Sequence, residues 1–396
     1  MSIRIANDHG QATLYLGGRL DTTVARQTEE EINEGLRGTG VTDSLTIDAS
    51  ELTYISSSGL RIILSLAKNY NLSSIINVQP EIYEVMKITG FTRMMHIEKG
   101  LRHVSVDGCE VIGMGGVGTV YRINDDTIIK VFREGTTLAE VEKEVNMSKE
   151  AFVMGTPTAI SFDVVNVGNR LGLVYELLYA ETLSTQVRNH PEQLDLFAQK
   201  YADLLHQLHD IEVPKDSCIP SGIENERKAI QHISHYFPQE GIDIIMQILD
   251  AIPEGNRLLH LDLQAKNIMI QGSEPMLIDM GEVGYGHPLL DLGHTHSSME
   301  TLIGDYEQII GIPKQLGIEL WHRTLDYYFK GESSQAIEHR KGQLDAVACI
   351  RNISWLALSD SFPESVIREC QLTFTERVMK RRDYLLQVSE TFKDWK

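Results

Sequence analysis

Three short stretches in the second half of the chain carry side chains suited to chemistry: His260-Leu261-Asp262, then Asn267, then Asp279-Met280-Gly281, all within 22 residues. Each acidic triplet follows an apolar run, Leu258-Leu259 before the first and Met276-Leu277-Ile278 before the second. A carboxylate, an amide and a second carboxylate in that order suit phosphoryl transfer from ATP. That reaction needs little covalent help. It needs one carboxylate to orient the attacking hydroxyl, and oxygen ligands to hold Mg²⁺ on the phosphates. On this reading Asp262 is the catalytic group, and Asn267 and Asp279 are the Mg²⁺ ligands.

The elements that would position a nucleotide lie upstream. Gly113-Met114-Gly115-Gly116-Val117-Gly118-Thr119-Val120-Tyr121 fits the pattern G-x-G-x-x-G-x-V, with Gly113, Gly115, Gly118 and Val120 at its fixed positions. Small residues let a hairpin backbone approach phosphates without side-chain clash. Ile128-Ile129-Lys130-Val131 follows an Asn124-Asp125-Asp126 turn and reads as the next strand. A polar helical stretch from Leu138 to Phe152 then carries Glu140, Glu142 and Glu144. These motifs, in this order, resemble the protein-kinase-like superfamily, with His-x-Asp-x-x-x-x-Asn intact and Asp-Met-Gly in place of Asp-Phe-Gly. The resemblance implies that Lys130 contacts the α- and β-phosphates and that one glutamate bridges it, with Glu144 favoured. It implies a supporting rather than chemical role for His260.

Three departures indicate the branch. Gln264 stands two residues after Asp262, where protein kinases commonly place Lys and aminoglycoside- or choline-kinase-like enzymes often place His. No Ala-Pro-Glu element follows Asp279. Instead Pro288-Leu289-Leu290-Asp291-Leu292 resembles the Pro-x-x-Asp-Leu element of aminoglycoside phosphotransferases, and it begins too soon after Gly281 for a long activation loop. The cation near the γ-phosphate is left unassigned, with Lys266 as the nearest supply. Leu173-Val174-Tyr175-Glu176-Leu177-Leu178 resembles the hinge strand of the superfamily. The resemblance implies adenine contacts from the Glu176 carbonyl and the Leu178 amide, with Tyr175 at the back of the pocket.

A second motif system occupies the N-terminal part. Leu45-Thr46-Ile47-Asp48-Ala49-Ser50 alternates as a half-buried strand does. It leads through Ser56-Ser57-Ser58-Gly59 into a helix with Leu60, Ile63, Leu64, Leu66 and Ala67 at helical spacing. Serine ahead of a helix is a good N-cap, and the same free amides stabilise a phosphate there. Ser58 is thus read both as a cap and as a phosphoacceptor candidate. With Gly17-Gly18-Arg19-Leu20-Asp21 and the tail Val78-Gln79-Pro80-Glu81-Ile82 and Ile88-Thr89-Gly90-Phe91, the segment resembles the STAS domains of anti-sigma-factor antagonists. There Asp-Ser-Ser-Gly-Leu ends the central strand. By position Ser58 is the acceptor, Ser57 its neighbour, and Ser56 replaces the motif's Asp.

Composition bounds the rest. The formal net charge is −20, of which only −3 falls on residues 1–107. An acidic C-terminal part argues against nucleic acid or anionic membrane as a partner. The N-terminus lacks a signal-peptide pattern, and no apolar run approaches the ~20 residues of a transmembrane helix. Cys109, Cys218, Cys349 and Cys370 are scattered, which suits reduced thiols in cytoplasm. His294-Thr295-His296 is read as the start of a helix rather than as a metal site. Glu319–Phe329 and Thr375–Val388 read as helices, and Lys380-Arg381-Arg382 as a solvated face.

The expected fold class is α+β. A STAS α/β domain (mixed sheet with helices) over 1–105 precedes a bilobal kinase-like domain over 106–396, with a β-rich N-lobe to 178 and a helical C-lobe from 179. The expected activity is an ATP- and Mg²⁺-dependent phosphotransferase. A Ser/Thr protein kinase tied to STAS partner-switch signalling leads, with a protein partner docking through the STAS domain. A small-molecule hydroxyl kinase with a regulatory STAS domain and an ATP-binding pseudokinase scaffold are the alternatives.

Overall fold

The computed structural model describes residues 1–8, 11–39, 44–272, 274–359 and 362–395. Its N-terminal sheet grows from a hairpin. Strand β1 (Ser2–Asp8) pairs antiparallel with β2 (Gln11–Leu20). Every later pairing is parallel: β2 with β3 (Ser44–Ile55), β3 with β4 (Leu72–Val78), and β4 with β5 (His96–Lys99). Parallel neighbours need crossovers. Helices α1 (Ala25–Thr39), α2 (Ser57–Asn69) and α3 (Pro80–Ile88) lie on those connections. Along β3 the alternation read from the sequence appears as burial of Leu45, Ile47 and Ala49, and α2 buries Leu60, Ile62, Ile63 and Leu66. The sheet and helices are those of a mixed α/β domain.

The start of α2 corrects one expectation. The cap is Ser56, not Ser58: the Ser56 hydroxyl accepts the Gly59 N–H at 3.3 Å and donates to the Leu20 carbonyl at 3.2 Å. Ser57 and Ser58 are already helical, and neither side chain hydrogen-bonds to any described residue. Gly59 is required by packing. A Cβ there would lie 2.8 Å from Leu20 Cγ and 2.9 Å from the Leu20 carbonyl oxygen.

Two compact units divide the chain. One is Met1–Cys109 with Val131–Gly135 and Val164–Gly172; the other is Glu110–Lys130 with Thr136–Asp163 and Leu173–Lys396. A six-stranded sheet has the order β6-β10-β11-β9-β8-β7. Its strands are β6 (Arg102–His103), β7 (Glu110–Met114), β8 (Gly118–Arg122), β9 (Thr127–Phe132), β10 (Ser161–Val167) and β11 (Arg170–Glu176). Helix α4 (Leu138–Val153) starts in a capping box, the Thr137 hydroxyl taking the Glu140 N–H while the Glu140 carboxylate takes the Thr137 N–H. Strand β11 ends at Glu176, so Leu177 and Leu178, expected on the hinge strand, lie just beyond it.

After the short β12 (Glu181–Thr182), helices predominate: α5 (Leu183–Asn189), α6 (Leu194–His209), α7 (Gly222–Ile233) and α8 (Gln239–Ala251). Four short strands follow, β13 (Arg257–Leu259), β14 (Ile268–Gln271), β15 (Glu274–Leu277) and β16 (Gly284–Gly286). The chain then runs through α9 (Pro288–Glu300), α10 (Tyr306–Ile310), α11 (Lys314–Tyr328), α12 (Ser334–Ser354), α13 (Glu364–Arg377) and α14 (Arg382–Ser389). Helix α12 is buried almost continuously from Leu344 to Ser354. The single helix expected over Thr375–Val388 is instead two, broken at Val378–Arg381. At the break Arg377 and Arg381 both turn to Asp345, Arg381 at 2.6 Å. Arg381 is therefore an ion-pair partner rather than part of a solvated basic face. Among the described residues, no helix is long and apolar enough to cross a membrane.

Candidate active site

Two hairpin ladders bring the acidic stretches together. β13 pairs antiparallel with β16, Leu259 facing Gly284, and β14 pairs antiparallel with β15, Ile268 facing Leu277. The loop from His260 to Asn267 and the loop from Ile278 to Val283 therefore leave these ladders side by side. The Ile278 N–H donates to the Asn267 carbonyl at 3.0 Å.

The loop carrying Asp262 is shaped from below by Asp291. This carboxylate is fully buried at the start of α9. It accepts the backbone N–H of His260 at 2.9 Å and of Leu261 at 2.7 Å, and it lies 3.2 Å from His209 Nε2. Burial would raise its pKa. The bonds from His209 and from the His260 amide outweigh that and hold it below the usual carboxylate range. His209 Nδ1 reaches the Tyr328 hydroxyl at 2.8 Å, so the loop is tied through Asp291 to α6 and α11. The clamp accompanies an unusual backbone: Leu261 has φ +65°, a region L-residues with side chains avoid.

His260 completes the loop. Its Nδ1 accepts the Asp262 N–H at 3.3 Å, which leaves the proton on Nε2 to bond the Ile278 carbonyl at 3.2 Å. The imidazole thus joins both loops through backbone atoms. The Asp262 carboxylate receives Gln264 Nε2 at 3.1 and 3.2 Å and Asn267 Nδ2 at 3.0 Å. Gln264 therefore orients Asp262 directly, although it brings no charge.

Across the second loop, Lys130 Nζ lies 2.9 Å from both Glu144 Oε1 and Asp279 Oδ1. The three glutamates of α4 separate by environment: Glu140 is spent in the capping box, Glu142 is exposed, and Glu144 is buried beside Lys130. Tyr175 donates its hydroxyl to Glu144 Oε1 at 3.1 Å. Burial works against the Lys130 charge, but Asp279 and Glu144 more than offset it and raise its pKa. Burial likewise disfavours the Asp279 carboxylate, and Lys130, His260 and Lys266 together lower its pKa. Asp279 also sits in left-handed backbone, φ +62°. Lys266 is half-buried and near enough to act on Asp279 electrostatically.

The glycine-rich segment forms the turn between β7 and β8, closed by the Gly115 N–H on the Gly118 carbonyl at 2.9 Å. None of Gly113, Gly115, Gly116 and Gly118 has positive φ. A Cβ at Gly115 or Gly116 would meet nothing within 4 Å. The protein's own atoms therefore do not demand glycine there, which leaves room for an approaching molecule. At the strand end the Leu177 N–H is held by the Asp126 carbonyl at 2.8 Å.

The donor set suits a hard divalent cation. Asn267 directs its amide N–H groups at Asp262, leaving its oxygen without a donor among the described residues, and Asp279 offers its second carboxylate oxygen. Both are the oxygen ligands that Mg²⁺ takes, together with phosphate oxygens. His294 and His296 are engaged otherwise. The first donates from Nδ1 to the Leu261 carbonyl at 3.1 Å, and the second accepts the Trp321 indole N–H at 3.0 Å.

Two site residues escaped the sequence reading. Glu282 follows Asp279-Met280-Gly281 directly, and Arg351 lies on α12. Their side chains meet at 2.8 Å, and the same guanidinium lies 3.7 Å from Asp262 Oδ1. The signal for Arg351 was a lone charge inside Cys349-Ile350-Arg351-Asn352-Ile353, a stretch with little else to keep it from a core.

Residues 108–324 match the Phosphotransferase enzyme family, whose model spans the glycine-rich turn, Lys130 and both loops. The chain belongs to that family. Residues 2–103 match the STAS domain. The phosphotransferase part is thus preceded by a STAS domain. Similar solved structures include a choline/ethanolamine kinase family protein from Mesorhizobium loti, with 16% identity, TM-score 0.47, and 72% of this chain and 92% of that chain covered. Another is a Plasmodium vivax ethanolamine kinase, with 14% identity, TM-score 0.48, and 69% and 82% covered. A third is the ADP-bound aminoglycoside phosphotransferase APH(2'')-Ib, with 14% identity, TM-score 0.43, and 78% and 98% covered. A comparison with curated protein sequences finds no match.

Proposed function

We propose that this phosphotransferase moves the γ-phosphoryl group of ATP to an alcohol held by Asp262. The observation that carries this reading is the ion triad Glu144–Lys130–Asp279, at 2.9 Å on both sides, beside a loop that presents Asp262. Lys130 binds the phosphates under the Gly113–Gly118 turn, with Val120 beneath it, and Glu144 keeps the ammonium in place. The Glu176 carbonyl and Leu178 amide take the adenine edge. Asn267 and Asp279 hold Mg²⁺, which when bound neutralises charge on the phosphate oxygens. Asp262, oriented by Gln264 and Asn267, accepts a hydrogen bond from the acceptor hydroxyl and aligns its oxygen for in-line attack.

For the acceptor we favour a small-molecule hydroxyl, with the STAS domain regulatory. Only residues 282–287 separate Gly281 from α9, so no long segment is available there to hold a peptide. A second reading, protein Ser/Thr kinase activity in STAS partner switching, draws on Ser57 and Ser58. Because Ser56 does the capping, both hydroxyls at the start of α2 lack side-chain hydrogen-bond partners among the described residues.

The test is incubation of the full chain with Mg²⁺ and γ-labelled ATP, beside Asp262→Asn and the double variant Ser57→Ala, Ser58→Ala. ADP formation that Asp262→Asn abolishes supports phosphotransfer; equal turnover in that variant refutes it. Label on the wild-type protein that the double serine variant lacks selects the STAS serines. Turnover without protein label, stimulated by members of an alcohol library, selects a small molecule.

A further inference from the structure

A further cation, beside Asp262, comes from an unexpected place. Arg351 lies on α12, beyond the 108–324 segment that matches the family. It is 8% exposed and stands between two carboxylates, Glu282 Oε2 at 2.8 Å and Asp262 Oδ1 at 3.7 Å. A bond forms at the first distance and only an approach at the second. A small rotation of one guanidinium would reverse that ranking. The groups facing Glu282 are Arg351 from α12, Asp262 from the catalytic loop and Glu226 from α7. Around the same arginine, Glu226 is buried with Oε2 lacking a hydrogen-bond partner among the described residues, and His294 Nε2 stands 3.6 Å from Glu226 Oε1. One arginine thus serves three acidic groups, and a change at any of them redistributes it.

Building on the assignment of Asp262 above, we propose that Arg351 is a positioning residue whose hold on Asp262 is set by Glu282. With Glu282 charged, the arginine stays on Glu282 and the Asp262 carboxylate keeps a lone pair for the acceptor hydroxyl. With Glu282 neutral, Arg351 closes on Asp262 Oδ1 and competes with that hydroxyl.

Glu282 is placed to change charge in a useful range. Burial pushes it up to about 7; Arg351 works against the rise, while Asp262 and Glu226 add to it. His294 does not share the role, since burial lowers its pKa and disfavours its charged form. The arginine itself stays charged throughout, because Glu282, Asp262 and Glu226 offset its burial and raise its pKa.

The experiment measures ADP release from Mg²⁺-ATP by the full chain, with water as acceptor. Wild type, Glu282→Gln, Arg351→Met and Asp262→Asn are followed between about pH 5.5 and 9, a range that brackets the Glu282 transition. Wild type should lose turnover on the acid side with a midpoint near 7. Both pair variants should lose that limb, at opposite levels. Glu282→Gln should sit about tenfold below wild type at alkaline pH, because the arginine stays on Asp262. Arg351→Met should hold the high level into acid, and KM for ATP should move in neither. A residue that merely supported the fold would not split the two variants in this way.

An acid limb retained in Glu282→Gln, at wild-type rate, overturns the inference. Undiminished turnover in Asp262→Asn overturns the underlying assignment instead, and the two failures are distinguishable. Should Arg351→Met not fold, or basal turnover be too slow to follow, the melting temperatures of wild type and Glu282→Gln decide. A proton held more tightly by folded than by unfolded chain favours folding below its folded value. Wild type should therefore gain on the variant as pH falls through 7, and parallel curves refute the switch.

Discussion

Asp291→Ala is the perturbation whose cost can be worked most directly from the structure. It deletes the acceptor of two buried backbone amides, His260 and Leu261, and strands His209. Hydrogen bonds to a charged group contribute about 1.5–3 kcal/mol each. Two such bonds lost where water cannot replace the acceptor cost about 3–5 kcal/mol, the range seen when one partner of a buried pair is removed. For a unit of this size about 2–4 °C of melting temperature accompanies each kcal/mol, so the expected drop is about 10 °C. Asp291→Asn should lose roughly half as much, since one oxygen still accepts but the new NH₂ opposes a donor. The sign with pH follows from the lowered pKa of Asp291. Its contribution is complete above the unfolded value of about 3.9 and fades as pH falls through the folded value. The gap between wild type and Asp291→Ala should therefore be full at neutral pH and shrink in acid. Thermal melts of the full chain, followed by helix signal and paired with ADP release, measure both. A drop under about 2 °C with turnover intact would refute the reasoning, and would mean that packing alone holds Leu261 in its left-handed conformation.

Three further outcomes follow from other parts of the chain. Lys130→Met should cut ADP release by about 100-fold or more, because it removes the cation held between Glu144 and Asp279; assay at saturating ATP separates this from weaker binding. Gly115→Val should leave the melting curve unchanged, since its Cβ meets nothing in the protein, and should weaken ATP binding measured by calorimetry. Ser56→Ala should destabilise the STAS domain by about 1 kcal/mol in denaturant titration, the usual cost of a lost cap, whereas Ser58→Ala should change stability little.

Sequence and structure agree most where a local element depends on order along the chain. The glycine-rich turn, Lys130, the Asp262 loop and the Asp279 loop were legible because each motif is local and flanked by the apolar strands that carry it. The alternation along β3 and the helical spacing of α2 made the STAS core equally readable. Glu144 was separable from Glu140 and Glu142 only in part. Which glutamate caps and which is buried depends on where α4 starts, and Thr137 decides that. The run Ser56-Ser57-Ser58 hid the cap for the same reason: three identical donors leave the helix start undefined by one or two residues. Arg351 and Glu282 were out of reach because their meeting depends on how α12 packs, a relation between residues far apart in the chain. The break in the helix expected over Thr375–Val388 is of this kind too, since Asp345 draws Arg377 and Arg381 from another helix.

Asp291 clamps the 260–267 loop in a way that tolerates substitution. It grips backbone amides, which every residue but proline possesses, and it does so from a helix outside the loop. The path of the chain through 260 and 261 is therefore inherited from α9 rather than written in the loop itself. Side-chain changes at 260 and 261 leave both amides in the grip of Asp291, while the side chains of His260, Gln264 and Asn267 remain free to act on Asp262 and its neighbouring loop. Proline at 260 or 261 is the one replacement that would remove a donor from the clamp.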